Sequence, residues 1–174
     1  FYTNRGQAVT SFGVESKDHP IMEFQPANKA YQLTATLGFR TFLKGRGWFA
    51  EPFSPWNMTQ PQRDMFIGMN EVEIVERDPA VGLETSVVYF NLMNEDFAGL
   101  ARRVTFRNIG DAPLKFDVLD GMPALMPYGV DNGLLKNIGR TIEAWMQVFN
   151  VEEQIPFYRL RASAGDTSEV RTIE

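Results

Sequence analysis

Between residues 100 and 119 the chain alternates between apolar and polar positions. Val104 and Phe106, with Ile109 close in phase, fall on one side, and Arg103, Thr105 and Arg107 fall on the other. Leu114, Phe116 and Val118 then alternate with Lys115 and Asp117. Successive side chains of a strand point to opposite faces, so each run predicts a half-buried β-strand. Asn108-Ile109-Gly110-Asp111-Ala112-Pro113 has turn chemistry, because Gly and Asp tolerate unusual backbone angles and Pro fixes its own. The pattern predicts a β-hairpin that ends where Met122-Pro123 and Met126-Pro127 interrupt it.

Similar short runs fill the first part of the chain. Residues 8–13, 21–24, 31–36 and 39–43 are β-biased and bounded by Gly, Pro or Asn, and they predict four strands. Residues 45–61, with three Pro, two Gly and four large aromatics, predict a loop, and long loops in compact domains are usually functional or mobile. Residues 66–75 predict a strand with Val72 and Ile74 on one face. The nearly continuous apolar run 84–93 predicts a central strand covered on both sides.

One segment changes period. From Asp131, apolar residues recur at Leu134, Leu135, Ile138, Ile142, Trp145, Met146 and Phe149, the spacing of a helix that packs by one face. Asp131 suits the N-cap and Asn150 the stop. Residues 157–162 and 167–173 return to β pattern. Many short strands and one helical run predict an all-β fold, a mostly antiparallel β-sandwich with one packed α-helix, in a single domain over residues 1–174.

Composition narrows what this domain does. A net charge of -5 and only one Arg-Arg pair, at 102–103, argue against nucleic acid or an anionic membrane as partner. The absence of cysteine excludes disulfides, thiolate catalysis and Cys-ligated zinc. No apolar stretch is long enough to span a bilayer and no signal peptide is visible, which fits a cytoplasmic location. Phe1 in place of an initiator Met predicts an excised piece, a processed chain or a sequence given without its start, with which a signal sequence could have been lost. A β pattern running to Glu174 predicts that the natural protein continues.

Chemistry candidates are few. His19 is the single histidine, set in the turn-like Lys17-Asp18-His19-Pro20 with no nucleophile motif beside it. Acidic residues number 22, so a glycosidase-like carboxylate pair can be drawn almost anywhere. Glu71, Glu73 and Glu76 read as the wet face or end of a strand, and Asp78-Pro79 as a turn. Gly45-Arg46-Gly47 lacks the third glycine and following helix of a dinucleotide site. Asn57-Met58-Thr59 matches the glycosylation triplet, which means little without a secretory context. The loop 45–61 is the strongest candidate: Trp48, Phe49, Phe53 and Trp56, interleaved with Arg46, Glu51 and Asn57, combine flat apolar faces with hydrogen-bonding groups. Sugars present the same mixture, and Trp48, Phe53 and Trp56 are the candidate substrate-binding residues. The competing reading is a plug for the sandwich end or a subunit contact.

Several segments together resemble the N-terminal region of glycoside phosphorylases of glycoside hydrolase family 94, most closely those acting on β-1,2-linked glucans. They are Tyr2-Thr3-Asn4-Arg5-Gly6-Gln7-Ala8, Ser11-Phe12-Gly13, Pro26-Ala27-Asn28-Lys29-Ala30-Tyr31, residues 103–108, Met126-Pro127-Tyr128-Gly129, Ala144-Trp145 and Pro156-Phe157-Tyr158-Arg159. The resemblance implies a β-sandwich ahead of an (α/α)-barrel, usually in a homodimer. It also implies inverting phosphorolysis, with inorganic phosphate as co-substrate and no cofactor or metal. The catalytic Asp and the phosphate-binding residues belong to the barrel, so no catalytic residue is assigned here. The function implied is that of a non-catalytic domain contributing subunit contacts and part of the sugar cleft. The alternative is a free-standing carbohydrate-binding β-sandwich.

Overall fold

The computed structural model describes residues 2–4, 7–9, 13, 16–57, 59–97, 99–123, 126 and 130–160. These residues belong to two compact units, the first formed by residues 1–10 and 26–124 and the second by residues 11–25 and 125–174.

The first unit opens with a two-stranded antiparallel pair, β1 (Tyr2–Asn4) and β2 (Gln7–Val9), on which helix α1 (Ala27–Leu37) packs. Residues 31–36 are therefore helical rather than the strand their pattern predicts. Ala30 and Thr34 are buried four residues apart on one helix face, and the Thr34 hydroxyl donates to the Ala30 carbonyl at 2.9 Å. Alanine-rich 3.6-residue spacing overrides the β-bias of Tyr31, Thr34 and Thr36.

Two antiparallel sheets follow. A three-stranded sheet orders β4 (Trp48–Ala50), β3 (Arg40–Gly45) and β9 (Phe116–Gly121). The other has four strands in sequence order, β5 (Gln62–Ile67), β6 (Glu71–Asp78), β7 (Leu83–Asn91) and β8 (Leu100–Asn108). Between them lies a core of Phe53, Ile74, Val87 and Tyr89, with Phe39, Val72 and Val104 packed against it. Phe106 and Phe116 are half-buried and meet edge to face at 5.5 Å across the two sheets, while Arg107 and Lys115 are exposed. The all-β, mostly antiparallel sandwich holds, and the helix packed within this unit is α1.

Three sequence expectations are corrected. β8 and β9 do not pair with each other: β8 pairs with β7 and β9 with β3, so residues 109–115 cross between sheets instead of closing a hairpin. The expected strand 66–75 straddles a tight turn, where the Gly68 N–H donates to the Glu71 carbonyl at 2.9 Å and the chain reverses from β5 into β6. The expected loop 45–61 begins with a strand, because Gly47 at φ 80° turns the chain so that Trp48 stands opposite Gly45. The central-strand reading of 84–93 matches β7, which is flanked by β6 and β8 and buries Val87, Val88 and Tyr89 in succession.

In the second unit, residue 13 bridges Pro20, and α2 (Asn132–Trp145) carries the predicted helical stripe. Asp131 caps it, accepting from the Leu134 N–H at 2.7 Å. The helix kinks at Ile138 and stops at Trp145, so Met146 and Phe149 lie on strand β10 (Met146–Phe149), paired with β11 (Phe157–Leu160). Residues 21–24 form no strand, and the strand expected at 167–173 lies outside the described residues. No described helix is long and apolar enough to cross a membrane.

Candidate functional site

Two constellations in the sandwich concentrate chemistry. The first is buried. Glu76 is in phase with Val72 and Ile74, so β6 turns its carboxylate into the core rather than to the wet face expected of it. Arg63, its cross-strand neighbour on β5, donates from Nε to Glu76 Oε2 at 2.6 Å. The Phe53 N–H donates to the same oxygen at 2.7 Å, and Arg63 Nη2 donates to the Ser54 carbonyl at 2.8 Å. Desolvation raises the Glu76 pKa above the usual carboxylate value, against the opposing pull of Arg63 and the Phe53 N–H.

A buried carboxyl with a perturbed pKa is a reasonable place to look for catalysis. Here its donors come from the chain itself and hold residues 51–57 in place. Phe53 has a φ of 67° in the left-handed region, which for a bulky residue requires support from its surroundings. Asp78, two residues on, accepts from the Thr59 hydroxyl at 2.8 Å and the Ala80 N–H at 3.0 Å. The adjoining cavity, lined by Pro52, Glu76, Asp78, Leu83 and Thr85 among others, measures about 10 Å³, enough for a single water. The cluster is a latch for the segment after β4.

The second constellation is open to solvent, on the outer face of the three-stranded sheet. Alternation along β3 points Thr41 and Leu43 inward, where both are buried, and Arg40, Phe42 and Lys44 outward. Leu119 stands opposite Phe42, and Phe49 and Asp117 stand opposite Lys44. The Phe42 and Phe49 rings stack at 6.2 Å with 26° between planes. Arg40 lies over the Phe42 ring at 4.7 Å and grips Glu51 through two hydrogen bonds, Nε–Oε1 at 2.7 Å and Nη2–Oε2 at 3.0 Å. That pairing makes the Arg40 guanidinium still harder to deprotonate. Phe49 is 65% exposed and Leu119 70%. The face can therefore cover the apolar side of a flat ligand while its rim offers donors and acceptors.

The three residues singled out in the sequence are not brought together as a binding set. Phe53 is 1% exposed, a core residue with no ring face open to a ligand. Trp48 is half-buried on the inward face of β4, edge-on to Phe116 at 5.8 Å. Trp56 is 62% exposed in the segment that the latch holds. Phe49 belongs to the aromatic set of loop 45–61, and its stacking partner Phe42 on β3 was missed. The signal for Phe42 was the spacing Arg40-Phe42-Lys44, which puts an aromatic between two cations on one strand face. His19 sits exposed in a turn, its N–H donating to the Ser16 carbonyl at 3.3 Å. Among the described residues no His, Asp and Glu group is arranged to hold a metal ion.

Compared with protein-family models, with curated proteins and with solved structures, the chain matches none.

Proposed function

We propose that this chain is the non-catalytic N-terminal β-sandwich region of an inverting β-glucan phosphorylase, and that its working surface is the outer face of β4, β3 and β9. One observation carries the reading: the exposed Phe42–Phe49 stack, bordered by the Arg40–Glu51 pair and by Lys44 opposite Asp117. A pyranose ring has an apolar face of C–H groups and a rim of hydroxyls. Stacking covers the first and charged rim groups hydrogen-bond the second. In the parent enzyme, a cytoplasmic homodimer, phosphate is the co-substrate and the catalytic Asp lies in another domain. This one shapes the sugar cleft and contributes subunit contacts. The same face also suits a free-standing carbohydrate-binding sandwich, the second reading.

Calorimetric titration with β-1,2-linked gluco-oligosaccharides tests both readings at once. Binding that falls at least about tenfold in Phe49→Ala, a loss near 1.4 kcal/mol, and survives in Arg107→Ala is the expected result. With phosphate added, the chain alone releases no glucose 1-phosphate. Unchanged binding in Phe49→Ala, or release above a buffer control, overturns the proposal. Phosphorolysis by the product of the complete reading frame separates the phosphorylase from the free-standing module.

A further inference from the structure

We infer that β5 is a self-association edge, pairing antiparallel with β5 of a second copy in a register centred on Phe66. The inference rests only on the subunit-contact part of the reading above, not on its sugar part. Among the described residues β5 ends its sheet, with β6 as its one neighbour. Because Gly68 and Glu71 form a hydrogen-bonded pair at the turn, the ladder's alternation directs the backbone of Gln62, Asp64 and Phe66 at β6. The N–H and C=O groups of Arg63, Met65 and Ile67 therefore point away from the sheet. An edge of this kind is a template for another strand.

The side chains on that edge are apolar and exposed: Met65 46%, Phe66 54%, Ile67 76% and, in the turn, Met69 fully. Natural edges are usually blunted by charge, proline or a bulge. Here the charges at the start of the strand are already used within the unit, Arg63 on Glu76 and Asp64 on Arg77. At about 200 Å² for a side chain of this size, the four expose on the order of 500 Å². Covering them in two copies gives on the order of 1,000 Å², the lower bound of a specific interface.

The occupant follows from the strand's own sequence. A two-fold axis normal to the sheet keeps core-facing residues opposite core-facing ones, so only residues of the same parity pair. Centring on Asp64 opposes two like charges, which is unfavourable. Centring on Met65 sets Asp64 against Phe66 and Arg63 against Ile67. Centring on Phe66 sets Phe66 on Phe66 and Met65 on Ile67, apolar on apolar, and lets the outward backbone groups of Met65 and Ile67 bond each other. The third register alone leaves no charge facing an apolar side chain at its centre.

Because the chain has no cysteine, single substitutions report the register cleanly. At the centre, Cα atoms of a non-hydrogen-bonded antiparallel pair stand about 4.5 Å apart, within disulfide range. Under mild oxidation Phe66→Cys should give a covalent dimer, while Asp64→Cys and Met65→Cys should stay uncrosslinked. Light scattering of the unsubstituted chain should show mass rising toward two copies with concentration, and Ile67→Lys should hold it at one. A dimer that crosslinks at Asp64→Cys or Met65→Cys, or at none of the three, overturns this inference and leaves subunit contact elsewhere standing. A unit mass at every concentration overturns both.

Discussion

The outer faces of the two sheets are built from the same alternation, yet they present opposite surfaces to water. On the four-stranded sheet, ion pairs run from strand to strand: Asp64 to Arg77 at 2.6 Å, Arg77 to Glu84 at 2.8 Å, and Glu84 to Arg107 at 2.9 Å. Ser86 adds a hydrogen bond to Glu73 at 2.6 Å. On the three-stranded sheet the corresponding positions hold Phe42, Phe49 and Leu119. Along this ladder the paired charges suit solvent, and the exposed apolar residues of the sheet gather at its edge strand β5 instead. Exposed rings gain by being covered. The difference teaches that polarity alone does not mark the working face. What marks it is apolar area left open where charge pairs were equally available.

The largest effect should come from between the faces, where both depend on the same core. Phe53→Ala removes a fully buried ring and should cost about 3–5 kcal/mol in chemical denaturation. Phe106→Ala, at a half-buried ring, should cost less, and Arg107→Ala, at the exposed end of the ladder, should stay within about 1 kcal/mol. Equal losses at Phe106 and Arg107 would mean that inner and outer faces of β8 are misassigned.

An intermediate effect should appear in pH dependence. Burial raises the Glu76 pKa in the folded chain, so just above the usual carboxylate value the folded state holds this proton while the unfolded state has lost it. Stability from this group is thus fully present at lower pH and falls as pH rises through the folded pKa. Thermal melts of the unsubstituted chain and Glu76→Gln should show their difference moving against the unsubstituted chain as pH rises above the usual carboxylate value of 4.5. A difference that is flat, or that moves the other way, would show that Arg63 and the Phe53 N–H outweigh burial.

How much of this was legible depended on whether a period had competitors. β7 and β8 were readable because Val87, Tyr89, Val104 and Phe106 repeat at spacing two, and no helical pattern rivals them. α1 was not, since Tyr31, Leu33 and Ala35 also alternate, and only burial at Ala30 and Thr34 decides for the helix. Strand partners were not legible at all. The turn residues 108–113 are compatible with a hairpin, and only tertiary pairing sends β9 to β3. For the site, alternation already placed Glu76 in phase with Ile74, but its polarity argued for the wet face, and only the structure supplies Arg63 as the partner that makes burial tolerable. The aromatic count of residues 45–61 pointed to the right neighbourhood. It could not tell the plugging ring of Phe53 from the exposed ring of Phe49.

The smallest effect on stability and the largest on binding should coincide at Phe49, and amide chemical-shift mapping reads this most directly. Titrating the isotope-labelled chain with a β-1,2-linked gluco-oligosaccharide should perturb Arg40, Phe42, Lys44, Phe49 and Leu119, and leave Arg77, Glu84 and Arg107 unmoved. Shifts confined to the ion-pair ladder, or none at saturating sugar, would contradict the assignment of the aromatic face as the working surface.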